Sequence, residues 1–505
     1  MTDPDGARSG HAEALLDRGF FGHPRGLKTL FFTELWERFS YYGMRSILIL
    51  FMTAAVADGG LGFAVPKAGA IYGVYTASVY LLCLPGGYIA DRLLGQRRAT
   101  LVGGLAIMIG HLNLAVPGIV TFYAGLGCVA IGTGLLKPNI STMVGQLYAP
   151  GDARRDAGFS IYYMGINLGA FLAPLVCGSL AQGTLVRDWL AAHGHAAGEA
   201  WHVGFGMAAL GMAFGLVQYV RGGAALGAAG LPPAPDPRAW WPVLGVLAAS
   251  LLAIGGAIAA GVTAAQLSGA LGSALLVITV AFFAGLFLVG RWTAAERRQL
   301  LAVLALFFGA SVFWSLFEQG GSTLTLFAER NTAREVLGFT IPASWFASLN
   351  AILIIVFAPL FAWGWTRLGS REPSAPAKFT LGLAFVAAGF GVLVLAALAA
   401  QGGVKVSPWW LVATYVLHTI GELCLSPVGL SAMTKLAPAR IAALTMGVWF
   451  LATSVGNYLG GRVAGLYEAF TLPQLFGAVT AFAAAAAIVM ALTVGPLRRM
   501  LAERE

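Results

Sequence analysis

Four ionisable side chains lie inside one apolar segment that runs from about residue 27 to residue 56. They are Glu34, Glu37, Arg38 and Arg45, within the run ELWERFSYYGMR. An ionised side chain at the centre of a membrane helix costs roughly 2.5–3.5 kcal/mol, so these groups must face protein or water. An opposite charge stabilises an ionised carboxyl group, so protonating Glu34 or Glu37 would allow Arg38 to bind another anion. Ionisable residues in such a segment indicate a pathway for a substrate or a proton.

The spacing of these groups places them on one side of a helix. Positions 34, 37, 38, 41 and 45 step by three or four, so Tyr41 joins the charged residues in a single stripe. Trp36 and Leu48 lie on the opposite face. The alternative interpretation of the same pattern is a structural ion pair that joins two helices.

The composition excludes a soluble globular protein. Of 505 residues, 58% are hydrophobic and 10% are charged, whereas soluble domains carry about 25% charged residues. The chain is therefore expected to be an all-α polytopic membrane protein, with the lipid bilayer as a partner. Its net charge of +9 is explained by Lys and Arg on cytoplasmic loops, so no nucleic acid is expected as a partner.

Fourteen apolar runs of about 20 residues follow one another between residues 27 and 496. Basic residues concentrate in every second loop, which predicts that both termini are cytoplasmic. The segment 222–239 is rich in Gly, Ala and Pro and is interpreted as a linker. The predicted organisation is a cytoplasmic N-terminal tail over 1–26, a six-helix bundle over 27–221, a linker with two accessory transmembrane helices over 222–298, a second six-helix bundle over 299–496 and a cytoplasmic C-terminal tail over 497–505.

The two predicted bundles share an internal repeat. GTGLLKP, residues 132–138, matches GELCLSP, residues 421–427, in the spacing of its glycine and proline. Secondary transporters are often built from such repeats, with a binding site between the two halves that is exposed to each side in turn. In the first copy Pro138 is expected to break the helix next to Lys137.

Three motifs resemble signatures of the proton-coupled oligopeptide transporters, a branch of the major facilitator superfamily. ExxERFSYYGMR, residues 34–45, resembles the signature of their first helix. GTGLLKPNIS and FSIYYMGINLGAF, residues 132–141 and 159–171, resemble the signature of their fourth and fifth helices. GGYIADRLLGQRR, residues 86–98, resembles the loop motif of the whole superfamily. The resemblance implies a major facilitator fold, with two six-helix bundles and two extra helices between them.

The resemblance also implies roles for individual residues. The peptide carboxylate would be held by Arg38, Tyr42 and Lys137, and the peptide amino group by Asn167, Asn350 and Glu422. Side-chain pockets would be lined by Tyr41, Tyr75, Trp314, Trp449 and Phe450. Each aromatic residue is equally well explained by core packing, and Asn167 by hydrogen bonding between helices.

Proton coupling and gating are assigned to charged residues of the same set. The candidates for proton coupling are Glu34, Glu37, Arg38 and Glu318. We expect Arg45 with Glu318 to close the outer side, and Lys137 with Glu422 to close the inner side. The loop motif, with Gly87, Asp91, Arg92, Arg97 and Arg98, is expected to form a breakable cytoplasmic latch. His418, one turn before Glu422, is interpreted as a packed core histidine or as a residue that tunes that acid.

The expected function is proton-coupled symport of di- and tripeptides into the cell by alternating access, through a charged central site between the bundles. The alternative is transport of another anionic or zwitterionic solute, such as nitrate or a peptide-like drug, by the same fold. No motif of an enzyme is found, so no catalytic residue is assigned. The four cysteines lie in apolar runs without metal-ligand spacing, so no metal site is predicted. Protons are the only expected coupling partner, no cofactor is expected, and the protein is expected to be a monomer in the cell membrane.

Overall fold

The computed structural model describes residues 17–149, 151–232, 259–336, 338–438 and 444–502, together with residues 238, 240, 241, 243–245, 248, 252 and 256. Within these ranges the chain is almost entirely helical. The helices are α1 (Arg25–Thr53), α2 (Val65–Leu81), α3 (Cys83–Ile89), α4 (Gly95–Leu114), α5 (Ile119–Gln146), α6 (Arg155–Gln182), α7 (Thr184–Ala192), α8 (Ala200–Arg221), α9 (Ala264–Val289), α10 (Ala294–Phe317), α11 (Thr323–Asn331), α12 (Ser348–Leu368), α13 (Ala375–Ala399), α14 (Trp409–Leu436), α15 (Thr445–Ala464) and α16 (Leu472–Ala502).

Within the described ranges, a single two-stranded hairpin interrupts the helical pattern. Its strands are β1 (Glu335–Val336) and β2 (Phe339–Thr340), and they pair antiparallel. Ten helical stretches in the described part of the chain are long and apolar enough to cross a membrane. The all-α polytopic architecture expected from composition is confirmed. The first predicted accessory helix, over 240–262, and the predicted N-terminal tail are only partly described, whereas the predicted C-terminal tail is described to residue 502.

The chain forms two compact units. The first comprises Met1–Ile47 and Leu82–Gly261, and the second comprises Leu48–Leu81 and Val262–Glu505. In the first unit α4 packs along α5 and α8, and α6 packs along α8. In the second unit α13 packs along α14 and α16, and α15 packs along α2 and α10.

The repeated glycine motifs make the same contact in each unit. A Cβ atom on Gly132 of α5 would lie 2.5 Å from the Gly103 carbonyl oxygen of α4. A Cβ atom on Gly421 of α14 would lie 2.7 Å from the Gly382 carbonyl oxygen of α13. Small residues let membrane helices approach to backbone contact, so the repeat read from the sequence has a packing role in both units.

The prediction that Pro138 breaks its helix is wrong. Helix α5 continues through Pro138 to Gln146, and α14 continues in the same way through Pro427. Proline leaves the carbonyl four residues earlier without its helical donor, here that of Gly134. That carbonyl packs against Gly86 of α3, where a Cβ atom would lie 2.1 Å away. Proline is tolerated in membrane helices because neighbouring helices accommodate the freed group.

One predicted span is divided by a turn. The apolar run that opens the second predicted bundle at residue 299 forms most of α10 and α11, which are separated by a 3₁₀ turn over Glu318–Gly321. The Gly320 carbonyl within this turn accepts hydrogen bonds from the hydroxyls of Thr325, at 2.8 Å, and Tyr415, at 3.3 Å. A glycine pair favours such a turn because glycine weakens a helix interior, and it places Glu318 at a helix end.

The beginning of the predicted linker is folded onto the first unit. Gly223–Leu226 forms a 3₁₀ turn, and Leu226 and Ala229 are buried in a cluster with Leu147 and Tyr219. The sequence shows no helical periodicity here because few of the described residues of this segment are buried.

Candidate functional site

The charged stripe of α1 forms a buried ion-pair cluster in the first unit. Arg38 Nε lies 3.0 Å from Glu34 Oε1 and also pairs with Glu37 Oε2. The exposed fractions of the Glu34, Glu37 and Arg38 side chains are 3%, 0% and 3%. Buried charges are tolerated when they are paired and hydrogen-bonded, and the helix spacing provides both partners from the same helix. The predicted stripe is therefore confirmed as a cluster around one guanidinium.

Glycines of α6 allow this cluster to sit directly against a neighbouring backbone. A Cβ atom on Gly169 would lie 2.2 Å from the Leu35 carbonyl oxygen and 3.1 Å from Arg38 Cβ. One turn earlier, a Cβ atom on Gly165 would lie 2.9 Å from the ring of Phe31. The position of Arg38 is therefore fixed by close contact between α1 and α6 as well as by its own carboxylates.

Two further polar residues interact with this cluster. Lys137 of α5 interacts electrostatically with Glu37 and Arg38. The buried Tyr162 of α6 interacts with Glu34. Glu37 is therefore a nearby carboxylate for Lys137, while the assignment of Lys137 to a peptide carboxylate stays a prediction. Tyr162 was missed, although it lies in the motif at 159–171, because a tyrosine in an apolar run is usually explained by packing.

Aromatic residues of α1 cover both of its central arginines. The Arg38 guanidinium carbon lies 5.5 Å from the centre of the Tyr41 ring, and that of Arg45 lies 5.9 Å from the Tyr42 ring. These are cation–π distances, which add to the stabilisation of buried guanidinium groups. On α6 the buried Asn167 donates to the Tyr163 carbonyl of its own helix at 2.9 Å.

The second unit contains a buried carboxylate bound to an amide. Asn350 Nδ2 of α12 donates to Glu422 Oε2 of α14 at 2.9 Å, and it lies 3.1 Å from the Thr419 hydroxyl. Two residues predicted to hold a peptide amino group are thus brought together by their own fold. Thr419 was missed in the sequence, although it lies three positions before Glu422 and therefore on the same helix face.

The predicted aromatic pocket residues of the second unit also meet. The rings of Trp314 and Trp449 lie 6.2 Å apart, edge to face, and Trp314 contacts Phe317 in the same way at 5.7 Å. Phe450 is half-buried, and Tyr75 on α2 is buried. Such contacts fit core packing as well as a binding pocket, so the pocket assignment stays a prediction.

His418 packs as a core histidine. Its ring lies 5.0 Å from that of Phe390 on α13, and a Cβ atom on Gly389 would lie 2.4 Å from it. The ring therefore contacts α13, whereas Glu422 contacts α12. This arrangement favours the packing interpretation over tuning of the acid.

The loop motif of residues 86–98 is largely helical, with a π-helical turn over Ala90–Leu94. Asp91 accepts a hydrogen bond from Gln96 at 2.9 Å. The Arg97 guanidinium donates to the carbonyls of Ala229 and Gly227, and its backbone N–H donates to the Gly230 carbonyl at 3.0 Å. Arg97 thus binds the segment that follows α8. Arg92 and Arg98 are exposed, and a Cβ atom on Gly87 would meet no neighbour.

The predicted gates each join a residue of the first unit to one of the second. They pair Arg45 with Glu318, and Lys137 with Glu422, and Glu318 is buried in its turn. Both pairings stay predictions, as do the assignments of the peptide carboxylate and amino groups.

Long apolar helices that bury paired charges and a hydrogen-bonded carboxylate define a polytopic membrane protein of the transporter class. A family model described as the POT family matches residues 97–482. The chain belongs to the POT family. This confirms the resemblance seen in the sequence motifs, and because the family is one of transporters it also confirms that the chain is not an enzyme.

Individual relatives match over nearly the whole chain. The peptide transporter YePEPT of Yersinia enterocolitica subsp. palearctica is 41% identical, with 96% of each chain covered. A di-/tripeptide transporter of Lactococcus lactis subsp. cremoris is 36% identical, with 96% of this chain and 98% of the relative covered. The crystal structure of a peptide transporter POT in complex with sulfate is 42% identical, has a TM-score of 0.89 and covers 99% of both chains. The expected major facilitator fold is confirmed by this similarity.

Proposed function

We propose that the protein is a proton-coupled symporter that imports di- and tripeptides by alternating access. Membership of the POT family and relatives named as di-/tripeptide transporters support this substrate class. The observation that carries the proposal is that the helices hold two complementary polar sets, in which Arg38 and Glu422 are buried and Lys137 and Asn350 are half-buried. One contains Arg38 and Lys137, and the other contains Asn350 and Glu422.

These two sets match the two ends of a peptide. A zwitterionic peptide needs a cation for its carboxylate and an anion for its ammonium group. Arg38, Tyr42 and Lys137 bind the carboxylate. Asn167, Asn350 and Glu422 bind the amino group. The aromatic residues that contact the peptide side chains are Tyr41, Tyr75, Trp314, Trp449 and Phe450.

Proton coupling follows from the sharing of Arg38 by two carboxylates. When a peptide carboxylate binds the guanidinium, one of the two acids loses part of its pairing, and a proton then neutralises it. Glu34 and Glu37 are the acids of this step, and Glu318 is a further proton site in the second unit. The salt bridges Arg45–Glu318 and Lys137–Glu422 are the proposed gates.

The proposed location is the cell membrane, with both termini in the cytoplasm and the protein as a monomer. The concentration of basic residues in alternate loops supports this orientation. Exposed apolar side chains on α9, such as Leu276, Val277 and Leu288, support direct contact with lipid.

Uptake of labelled dialanine into proteoliposomes tests the substrate class. We expect accumulation under an inward proton gradient, inhibited by unlabelled di- and tripeptides and unaffected by single amino acids. Absence of dialanine accumulation under any proton gradient, with gradient-driven accumulation of nitrate, would overturn the peptide assignment. It would favour the alternative of another anionic or zwitterionic solute.

A further inference from the structure

A short strap precedes α1 and folds back on the first unit. It comprises residues 17–24 and is closed by a tight turn, in which the Phe20 N–H donates to the His23 carbonyl at 3.0 Å and the His23 N–H donates to the Phe20 carbonyl at 2.9 Å. Asp17 accepts from the Arg25 N–H at 2.8 Å, so the strap is fastened to the start of α1. The sequence motifs assign no role to this segment.

The strap is bound to the loop that joins α5 to α6. Arg154 in this loop forms an ion pair with Asp152, with Nη2 and Oδ2 2.8 Å apart. The same guanidinium donates through Nη1 to the carbonyls of Asp17 and Gly22, each at 3.1 Å. His23 Nδ1 lies 3.0 Å from the Tyr148 hydroxyl, and the His23 side chain is buried. We call these contacts between strap and loop the clasp.

Two local features, a glycine opposite Tyr148 and a positive φ in the strap, are required by the contacts of the clasp. A Cβ atom on Gly158 of α6 would lie 1.9 Å from the Tyr148 hydroxyl, so a glycine is needed for Tyr148 to reach His23. In the strap, Phe21 has φ +48° and is the one non-glycine residue with positive φ in the described part of the chain. Its side chain is 80% exposed. A bulky residue in this conformation is strained, and the contacts on either side must hold it.

The clasp joins the ends of three helices that carry the proposed site. Helix α1 carries Arg38, α5 carries Lys137 and α6 carries Asn167. While the clasp is closed, the start of α1 and the junction of α5 and α6 can separate only if several buried or charge-assisted hydrogen bonds break. Charge-assisted bonds are the stronger kind, so the clasp opposes that separation.

Among the groups of the clasp, His23 is the one whose ordinary pKa lies near neutral pH. The charged and titratable groups of the loop that act on it are Tyr148, Asp152 and Arg154. The charged groups on its own side of the clasp are Asp17, whose carbonyl binds Arg154, and Arg25 at the start of α1. Burial, and secondarily the positive charge of Arg154, hold the pKa of His23 below its ordinary value.

The neighbouring groups keep their protonation states over the same range. Hydrogen bonds from Arg154 lower the pKa of Asp152, so that carboxylate stays ionised. Burial raises the pKa of Tyr148 to about 12, so the phenol keeps its proton and can donate to a neutral His23. Because the pKa of His23 is lower in the closed clasp than in the open one, the stabilisation is complete above the ordinary histidine pKa. It declines as the pH falls below that value and is lost as the pH passes through the lowered pKa of the closed clasp.

We propose that the clasp is an acid-released restraint on the ends of α1, α5 and α6, and that protonation of His23 opens it and frees these helices to move. The orientation rests on the proposed function, which places the strap in the cytoplasm. There, acid delivered by proton-coupled uptake reaches His23 directly. Release speeds the step in which these helix ends separate.

Hydrogen exchange of the full-length protein in lipid nanodiscs tests the restraint without any transport assay. After correction for intrinsic exchange rates, we expect the amides of residues 20–23 to lose protection several-fold between pH 7.5 and pH 5.5. His23→Gln should abolish this pH dependence, because glutamine keeps a hydrogen-bonding side chain and does not titrate. His195→Gln removes an exposed histidine outside the clasp and should leave the dependence unchanged.

Two further variants act on the clasp in opposite directions. Tyr148→Phe removes the hydroxyl and should lower protection at both pH values. Phe21→Asn relieves the positive φ, because asparagine adopts this conformation more readily, and it should raise protection at both. Equal protection of the unmodified strap at the two pH values, or an unchanged pH dependence in His23→Gln, would overturn the proposal.

Peptide exchange at equal pH on both membrane faces measures the consequence for transport. Lowering the pH of both compartments together from 7.5 to 5.5 should speed exchange in the unmodified protein more than in His23→Gln. Equal acceleration in the unmodified protein and in His23→Gln would show that protonation of His23 does not control movement of these helices. If no peptide exchanges at all, the proposed function fails, whereas the hydrogen-exchange result still decides whether the clasp responds to acid.

Discussion

Arg38 and Glu422 show how single residues keep a charge inside this protein. Arg38 obtains Glu34 and Glu37 from its own helix, whereas Glu422 obtains Asn350 from a neighbouring helix. The first arrangement can be read from sequence spacing, because helix geometry alone brings the groups together. The second depends on the packing of α12 against α14, and spacing along the chain does not contain that information.

Replacing Asn350 with alanine should weaken peptide binding strongly. The substitution leaves the buried Glu422 carboxylate without its amide donor, and hydrogen bonds to charged groups contribute about 1.5–3 kcal/mol, or roughly 10- to 100-fold in affinity. The measurement is the concentration of unlabelled dialanine that halves uptake of the labelled peptide. Thr419→Val is the matched control, because the Thr419 hydroxyl contacts Asn350 and not the carboxylate directly. Equal, small effects of the two variants would contradict the assigned role of Asn350.

Helix packing in the first unit depends on where glycines face a neighbouring backbone. Gly169 of α6 touches the Leu35 carbonyl of α1, while Gly127 on α5 is exposed with no atom near its missing side chain. Both are helical glycines in apolar runs. The sequence predicted close packing of glycine-rich helices but could not distinguish these two positions, since the difference lies in what each one faces.

Alanine substitutions at these two glycines should therefore act in opposite directions. Gly169→Ala forces α6 away from α1 and should cost about 1–3 kcal/mol, as overpacking does, with displacement of Arg38 and loss of uptake. Gly127→Ala should be neutral or should stabilise by up to about 1 kcal/mol through helix propensity. Thermal unfolding in detergent and dialanine uptake measure both effects. Normal stability and uptake in Gly169→Ala would show that the contact of Gly169 with the Leu35 carbonyl does not fix the position of α1 against α6.

The segment after α8 is ordered although its sequence has no helical periodicity. Residues 222–232 lack periodicity, which predicted a plain linker, yet Arg97 binds three of their carbonyls and Leu226 is buried. The order comes from hydrogen bonds between a distant side chain and the backbone. Such bonds leave no pattern in the residues that accept them.

Removing the Arg97 side-chain contacts should free this segment for proteolysis. In Arg97→Gln we expect trypsin to cleave after the exposed Arg221 several-fold faster than in the unmodified protein, because cleavage requires local opening. Arg98→Gln is the control, since it removes an exposed neighbouring arginine and the same number of tryptic sites. The product is identified by mass spectrometry. Equal cleavage rates in the two variants would show that Arg97 does not hold the segment.

At the scale of the whole molecule, the two units share one type of helix contact, a glycine against a neighbouring backbone, but they bury chemically different polar residues. The contact of Gly132 with Gly103 recurs as that of Gly421 with Gly382. The first unit buries Arg38, and the second buries the hydrogen-bonded Glu422. The repeat was detectable in the sequence because glycine and proline spacing is local. The helix break predicted at Pro138 does not occur. The sequence could not indicate this, because the glycine that accommodates the freed carbonyl, Gly86, lies on another helix.

Under the proposed function, the buried α1 cluster couples protons to peptide movement. The most direct test of this coupling compares gradient-driven accumulation of dialanine with peptide exchange at equal pH, in the unmodified protein and in Glu37→Gln. We expect Glu37→Gln to abolish accumulation while exchange continues, because Arg38 keeps Glu34 as a partner and can still bind the peptide carboxylate. Accumulation at the unmodified level in Glu37→Gln would contradict the claim that this carboxylate carries the coupling.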